Sequence, residues 1–158
     1  FPSAKERMKS AFDVALRPDN VNNTDASSSP ARMLVWKVCL EIIPENFFAG
    51  TGTGDAKDKL IETYKAKGMT GPLQHQLNAH NQFFQTFIAI GFFGFIFLIL
   101  NFFAPLIYAI KKKQYLLMCF LLLMFLNFLV ESMLETQAGV IFYAFFSSLL
   151  LFANTDNH

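Results

Sequence analysis

The chain has 158 residues, a net charge of +1, 53% hydrophobic residues and 20 Phe against a single Trp. That near-neutral balance gives no electrostatic footprint for nucleic acid, and the apolar, Phe-rich content departs from that of an ordinary soluble domain. Ten of the 13 Lys/Arg and nine of the 12 Asp/Glu fall in residues 1–80, so a water-exposed half is joined to a membrane half.

The chain opens Phe1-Pro2-Ser3 as if cut from something longer. The amphipathic AKERMKSAFD that follows is no signal peptide, so upstream membrane segments are expected to place residues 1–80 outside the cytoplasm. Residues 18–30 are polar and breaker-rich and read as a loop. Ser29-Pro30 then has the form of an N-cap followed by proline in the first helical turn, which predicts a helix over 30–43 that stops before Pro44. GTGTGD at 50–55 is a tight turn ending in Asp55, an expected N-cap for a second helix over 56–67 with Leu60, Ile61 and Tyr64 on one face and Gly68 as its stop. The turn is no nucleotide loop, because it lacks a preceding buried strand and the Lys-Ser/Thr of a P-loop. After a loop over 68–78, Asn78 is expected to cap a helix that starts at Ala79 and enters the membrane.

Three apolar segments follow, roughly 82–110, 115–130 and 138–153, the third short for a span. Lys111-Lys112-Lys113-Gln114 joins the first two, and by the positive-inside rule it faces the cytoplasm. Residues 1–80 and the link 131–137 then lie outside. The expected fold is all-α: a polytopic integral membrane protein fragment with a helical periplasmic loop region (1–80) and two to three transmembrane helices (81–158). Cys39 and Cys119 match no metal-site spacing and are not expected to pair.

His80 stands where a membrane helix meets water. With Asn78 as cap it would occupy the first helical turn, where the helix dipole disfavours a positive charge and a neutral imidazole can act as a base. At 100° per residue Gly91 and Gly94 share its face, and glycines there admit another helix. A plain interfacial cap is the alternative. Arg32, in the first turn of its own helix, suits a phosphate group through backbone N–H groups and a bidentate guanidinium; a solvated surface arginine is the alternative. Glu131 and Glu135, at the outer end of the second span, are functional candidates or simple membrane-boundary residues.

Together these residues resemble the C-terminal part of the O-antigen ligase family of bacterial inner-membrane glycosyltransferases. His80-Asn81, nine residues, then Gly91 and Gly94 match its histidine motif, and Arg32 four residues before Trp36 matches its upstream arginine pattern. The Gly-rich turn falls between them, as in the family. The resemblance implies metal-independent, cofactor-free transfer of a glycan from undecaprenyl diphosphate to an acceptor hydroxyl, lipid A-core in a ligase. It implies His80 as the base or the acceptor-orienting residue and Arg32 as the donor-diphosphate ligand, with Asn81 beside them in the substrate site. A further family arginine has only Arg7 and Arg17 as candidates. Relatives with the same motif polymerise repeat units or glycosylate protein hydroxyls, and these residues do not separate the three. A transporter segment, the reading from another class, would favour ionisable residues or broken helices near the bilayer midplane.

Overall fold

The computed structural model describes residues 28–153, and all of its regular structure there is helical. In chain order the helices are α1 (Ser28–Glu45), α2 (Ala56–Ala66), the short α3 (Thr70–Gln74), α4 (Gln82–Lys112), α5 (Tyr115–Val130) and α6 (Gln137–Phe152), with a 3-10 turn at Met133–Glu135 before α6.

Two apolar clusters organise them. The first joins α1, α2 and the beginning of α4: Val35, Val38, Cys39 and Ile42 meet Leu60, Tyr64, Met69, Ile88 and Ala89. Its polar groups are placed accordingly. Tyr64 donates its hydroxyl to the Leu77 carbonyl at 3.2 Å, while burial pushes the Cys39 thiol up to about 12 and raises the Tyr64 phenol as well. The second cluster joins α4, α5 and α6 through Leu98, Phe102, Leu117, Leu121, Met124, Phe128 and Tyr143.

Helix α4 has 31 residues and is long and apolar enough to cross a membrane. Only 28% of its most apolar stretch is buried, whereas the core helix of a soluble protein would be covered on most sides. Helices α5 and α6 are apolar but have 16 residues each, about 24 Å at ~1.5 Å per residue and so shorter than a ~30 Å hydrocarbon core. Phe93, Phe97, Leu116, Leu123 and Phe145 stand outward on these three helices, all exposed. The α4–α5 link closes tightly, with Lys113 in the left-handed region at φ 54°.

Several boundaries differ from those read in the sequence. Helix α1 begins at Ser28 and runs through Pro44. The proline is tolerated because it sits in the last turn, and the carbonyl it leaves without an N–H is that of exposed Leu40. Asp55 precedes α2 but makes no side-chain cap; the Ala56 N–H is taken instead by the Gly52 carbonyl at 3.1 Å. Gly68 ends that helix region at φ 62°, as expected.

The larger correction is at α4. Asn78 does not cap it, and Ala79 and His80 lie outside it. The helix starts at Gln82, and Asn81 is the cap, its Oδ1 accepting from the N–H groups of Phe83 and Phe84 at 2.9 and 3.1 Å. The helix is also broken at Gly91, whose backbone is φ 71°, ψ −162°, a region essentially reserved to glycine. About 21 residues follow the break (92–112), roughly 31 Å of helix, enough by themselves to span.

The turn over 47–52 docks in that break. Phe92 N–H donates to Phe47 O at 2.8 Å, Thr51 N–H to Ile88 O at 2.7 Å and Gly52 N–H to Ala89 O at 2.9 Å. Irregular backbone at the edge of an apolar layer is stable only when protein satisfies it, and the turn does so. Phe47 clamps both sides, stacking on Phe92 at 5.5 Å and meeting Phe87 at 5.3 Å. The approach needs glycines: a Cβ on Gly50 would lie 2.6 Å from the Ala89 carbonyl, and one on Gly91 would lie 2.3 Å from Phe48 O.

Candidate functional site

Three helices bring the site together at one level. Arg32 lies on α1, His80 just before α4, and Glu131 at the C-terminal cap of α5. Glu131 is shared. Its Oε1 is 3.3 Å from Arg32 Nη2 and 3.3 Å from His80 Nδ1, and its Oε2 is 3.3 Å from the same Nδ1. The side chains of Arg32, His80 and Glu131 keep 30%, 24% and 46% of their exposure, so the cluster is open to a ligand.

His80 is held by backbone rather than by a helix. It is in the left-handed region at φ 45°, uncommon for a residue with a side chain, and its N–H donates to Asn78 Oδ1 at 3.1 Å. The argument from a first-turn dipole therefore does not apply to it. Nor do His80, Gly91 and Gly94 share a helical face, because the helix begins after the histidine and breaks at Gly91. Gly91 makes room for the 47–52 turn, not for another helix. Gly94 makes room within α4, where a Cβ would lie 2.4 Å from the Ile90 Cβ across the break.

Trp36, one turn after Arg32, donates its indole N–H to the Ala79 carbonyl at 3.0 Å. It thereby ties α1 to the residue before His80. Asn81 is buried and fully engaged: besides the two cap bonds, its Nδ2 donates to Leu129 O at 3.1 Å and its N–H to Ser132 Oγ at 3.3 Å. These bonds fix the start of α4 against the end of α5, which brings Glu131 under His80. Glu135 accepts from Asn78 Nδ2 at 2.7 Å and from Gln85 Nε2 at 3.4 Å, and the neighbouring Gln82 Oε1 accepts the Leu134 N–H at 2.6 Å.

Arg7 and Arg17 lie outside the described residues. Sequence reasoning missed Gln82, Gln85 and Ser132, the polar residues that lock the 131–135 link onto α4, and gave no role to Lys57 and His75, which share a cleft with His80 and Glu135. Polar residues opening an otherwise apolar helix were the available signal. Among the described residues no group of His, Cys, Asp and Glu is arranged to hold a metal ion. A broken helix is a device of transporters; here the 47–52 turn occupies the Ile88 and Ala89 carbonyls and the Phe92 N–H that the break frees.

A family model described as O-Antigen ligase matches residues 3–99. No curated protein and no solved structure matches the chain.

Proposed function

This chain belongs to the O-antigen ligase family of membrane glycosyl-transfer proteins, and from that premise we propose that it transfers a glycan from undecaprenyl diphosphate to a lipid A-core hydroxyl. The reaction runs on the periplasmic side of the bacterial inner membrane. The observation that carries this reading is the Glu131 carboxylate shared by Arg32 and His80 at 3.3 Å each, beside the family's histidine motif.

The chemistry follows from which atoms face Glu131. With the Nδ1 proton of His80 donated to the carboxylate, Nε2 carries the lone pair, as in hydrolase triads where a carboxylate fixes the tautomer of the base. Nε2 takes the proton of the acceptor hydroxyl as that oxygen bonds to the anomeric carbon. The bond from that carbon to the diphosphate oxygen breaks, and lipid diphosphate leaves with the electron pair. Arg32 binds the diphosphate oxygens in a bidentate fork and offsets the charge that develops on them. Glu131 stabilises the imidazolium until the proton departs. Contacts of 3.3 Å are long for charge-assisted hydrogen bonds, and catalytic contacts of ligand-free enzymes commonly shorten when substrate arrives. Asn81 and Trp36 position His80 through the backbone on either side of it.

Arg32→Ala is expected to abolish transfer, and Arg32→Lys should fail to restore it, because an ammonium cannot reproduce the planar fork. Transfer assayed in membranes and normalised to protein amount decides this. Normal transfer by Arg32→Ala would return the residue to a solvated surface role.

The side of the membrane has its own test. A reporter fused after Lys113 should report cytoplasm, and a tag within 18–30 should be reached by reagents from outside, given the three lysines of that link. A cytoplasmic tag at 18–30 would sink both the topology and the proposed reaction.

A further inference from the structure

His80 borders two environments. One is the cluster with Arg32 and Glu131. The other is an open cleft of about 360 Å3, lined by Lys57, His75, Gln76, Asn78 and Glu135 together with His80 and Leu77. Its volume falls within the roughly 300–1,000 Å3 of small-ligand sites. Arg32 and Glu131 do not line it.

We propose that this cleft is the acceptor site, binding the terminal sugar of the acceptor glycan with a hydroxyl turned toward His80. The assignment rests on the glycosyl-transfer reading above. Sugar hydroxyls both donate and accept, and the cleft offers both functions: Lys57 and Gln76 supply donors, the His75 ring supplies either, and the Glu135 carboxylate accepts. Glu135 is fixed in place by Asn78 and Gln85. Asn78 also accepts the His80 N–H, so the carboxylate and the base are set by one side chain. Among the described residues the side chains of Lys57 and His75 have no partner, whereas Lys59 and Lys67 pair with Glu45 and Glu41. The cleft holds no guanidinium, whose planar fork suits a diphosphate, so the donor is assigned to Arg32 and the acceptor to the cleft, both bordering His80.

The wall is also built at a conformational cost. Gln76 and His80 both have φ 45°, and among the described residues Lys113 is the only other non-glycine with positive φ. Such strained residues gather at functional sites, and two of the three border this cleft.

The test uses the purified full-length protein and delipidated core oligosaccharide as the probe, titrated without donor, alongside a transfer assay with the lipid-linked donor. Lys57→Met and His75→Ala should each weaken oligosaccharide binding about tenfold, the loss expected of one hydrogen bond involving a charged or ring donor. Lys57→Arg should retain most of it, and Arg32→Ala should bind as wild type does. Binding unchanged in both Lys57→Met and His75→Ala, or a wild type that does not bind the oligosaccharide, overturns the cleft assignment even if transfer is normal. Binding that depends on Lys57 and His75 in a wild type that transfers nothing would keep the cleft and remove the proposed reaction.

Discussion

Replacing His80 by Ala is expected to lower glycan transfer by at least ~10²-fold, the lower end of general-base contributions, with the protein still present in the membrane at wild-type abundance. The second half of that expectation comes from how His80 is held. Its φ of 45° lies in the left-handed region, which alanine enters less readily than histidine but without a clash of its single Cβ. The bond from its N–H to Asn78 involves backbone and survives the change, and the cap of α4 belongs to Asn81. What is lost is the imidazole between Glu131 and the acceptor. His80→Gln keeps a polar side chain of similar reach but cannot take a proton, so it should be severely impaired as well. Full activity in His80→Ala would leave the histidine as a turn residue and the family motif without a base in this chain.

Gly91→Ala should do the reverse and remove the protein rather than its chemistry. The backbone there lies in a region that costs a non-glycine residue about 1–3 kcal/mol. The added methyl would meet Phe48 O at 2.3 Å, so the 47–52 turn must lift away. Lifting it abandons the bonds to Ile88 O, Ala89 O and Phe92 N–H. Each buried group left unpaired costs about 1–3 kcal/mol, and the sum is comparable with the whole stability of a typical domain, about 5–15 kcal/mol. Membrane abundance and resistance to protease are the readouts. Wild-type amounts of Gly91→Ala with wild-type thermal stability would show that the docked turn does not support the fold.

The long apolar run, the three-lysine link and the short later helices were legible because composition and length alone define them. The start of α4 was not. Asn78 and Asn81 are both good caps, and local sequence does not choose between them. The choice is made by Leu129 and Ser132, 48 and 51 residues away, which take the remaining polar groups of Asn81. The break at Gly91 was hidden for a related reason. A glycine inside a uniformly apolar stretch gives no sign of a kink until the Gly-rich turn that fills it is known to be adjacent. Arg32 and His80 were singled out by their spacing to neighbours. Their meeting depends on Glu131, 99 and 51 residues further on, a pairing that periodicity cannot register.

The docked turn also governs where this chain can change length. Between Asn46, which accepts the Gly50 N–H at 2.9 Å, and Gly52, which donates to Ala89, Phe47 and Thr51 also bond to α4 and Gly50 lies directly against it. One inserted residue would move Gly50 out of the gap and bring a side chain against the Ala89 carbonyl; one deletion would pull Thr51 off Ile88. Homologues that lengthen the outer region therefore have to do so elsewhere. The stretch from Phe47 to Gly52 is a measured spacer, as constrained in its number of residues as in the identity of Gly50.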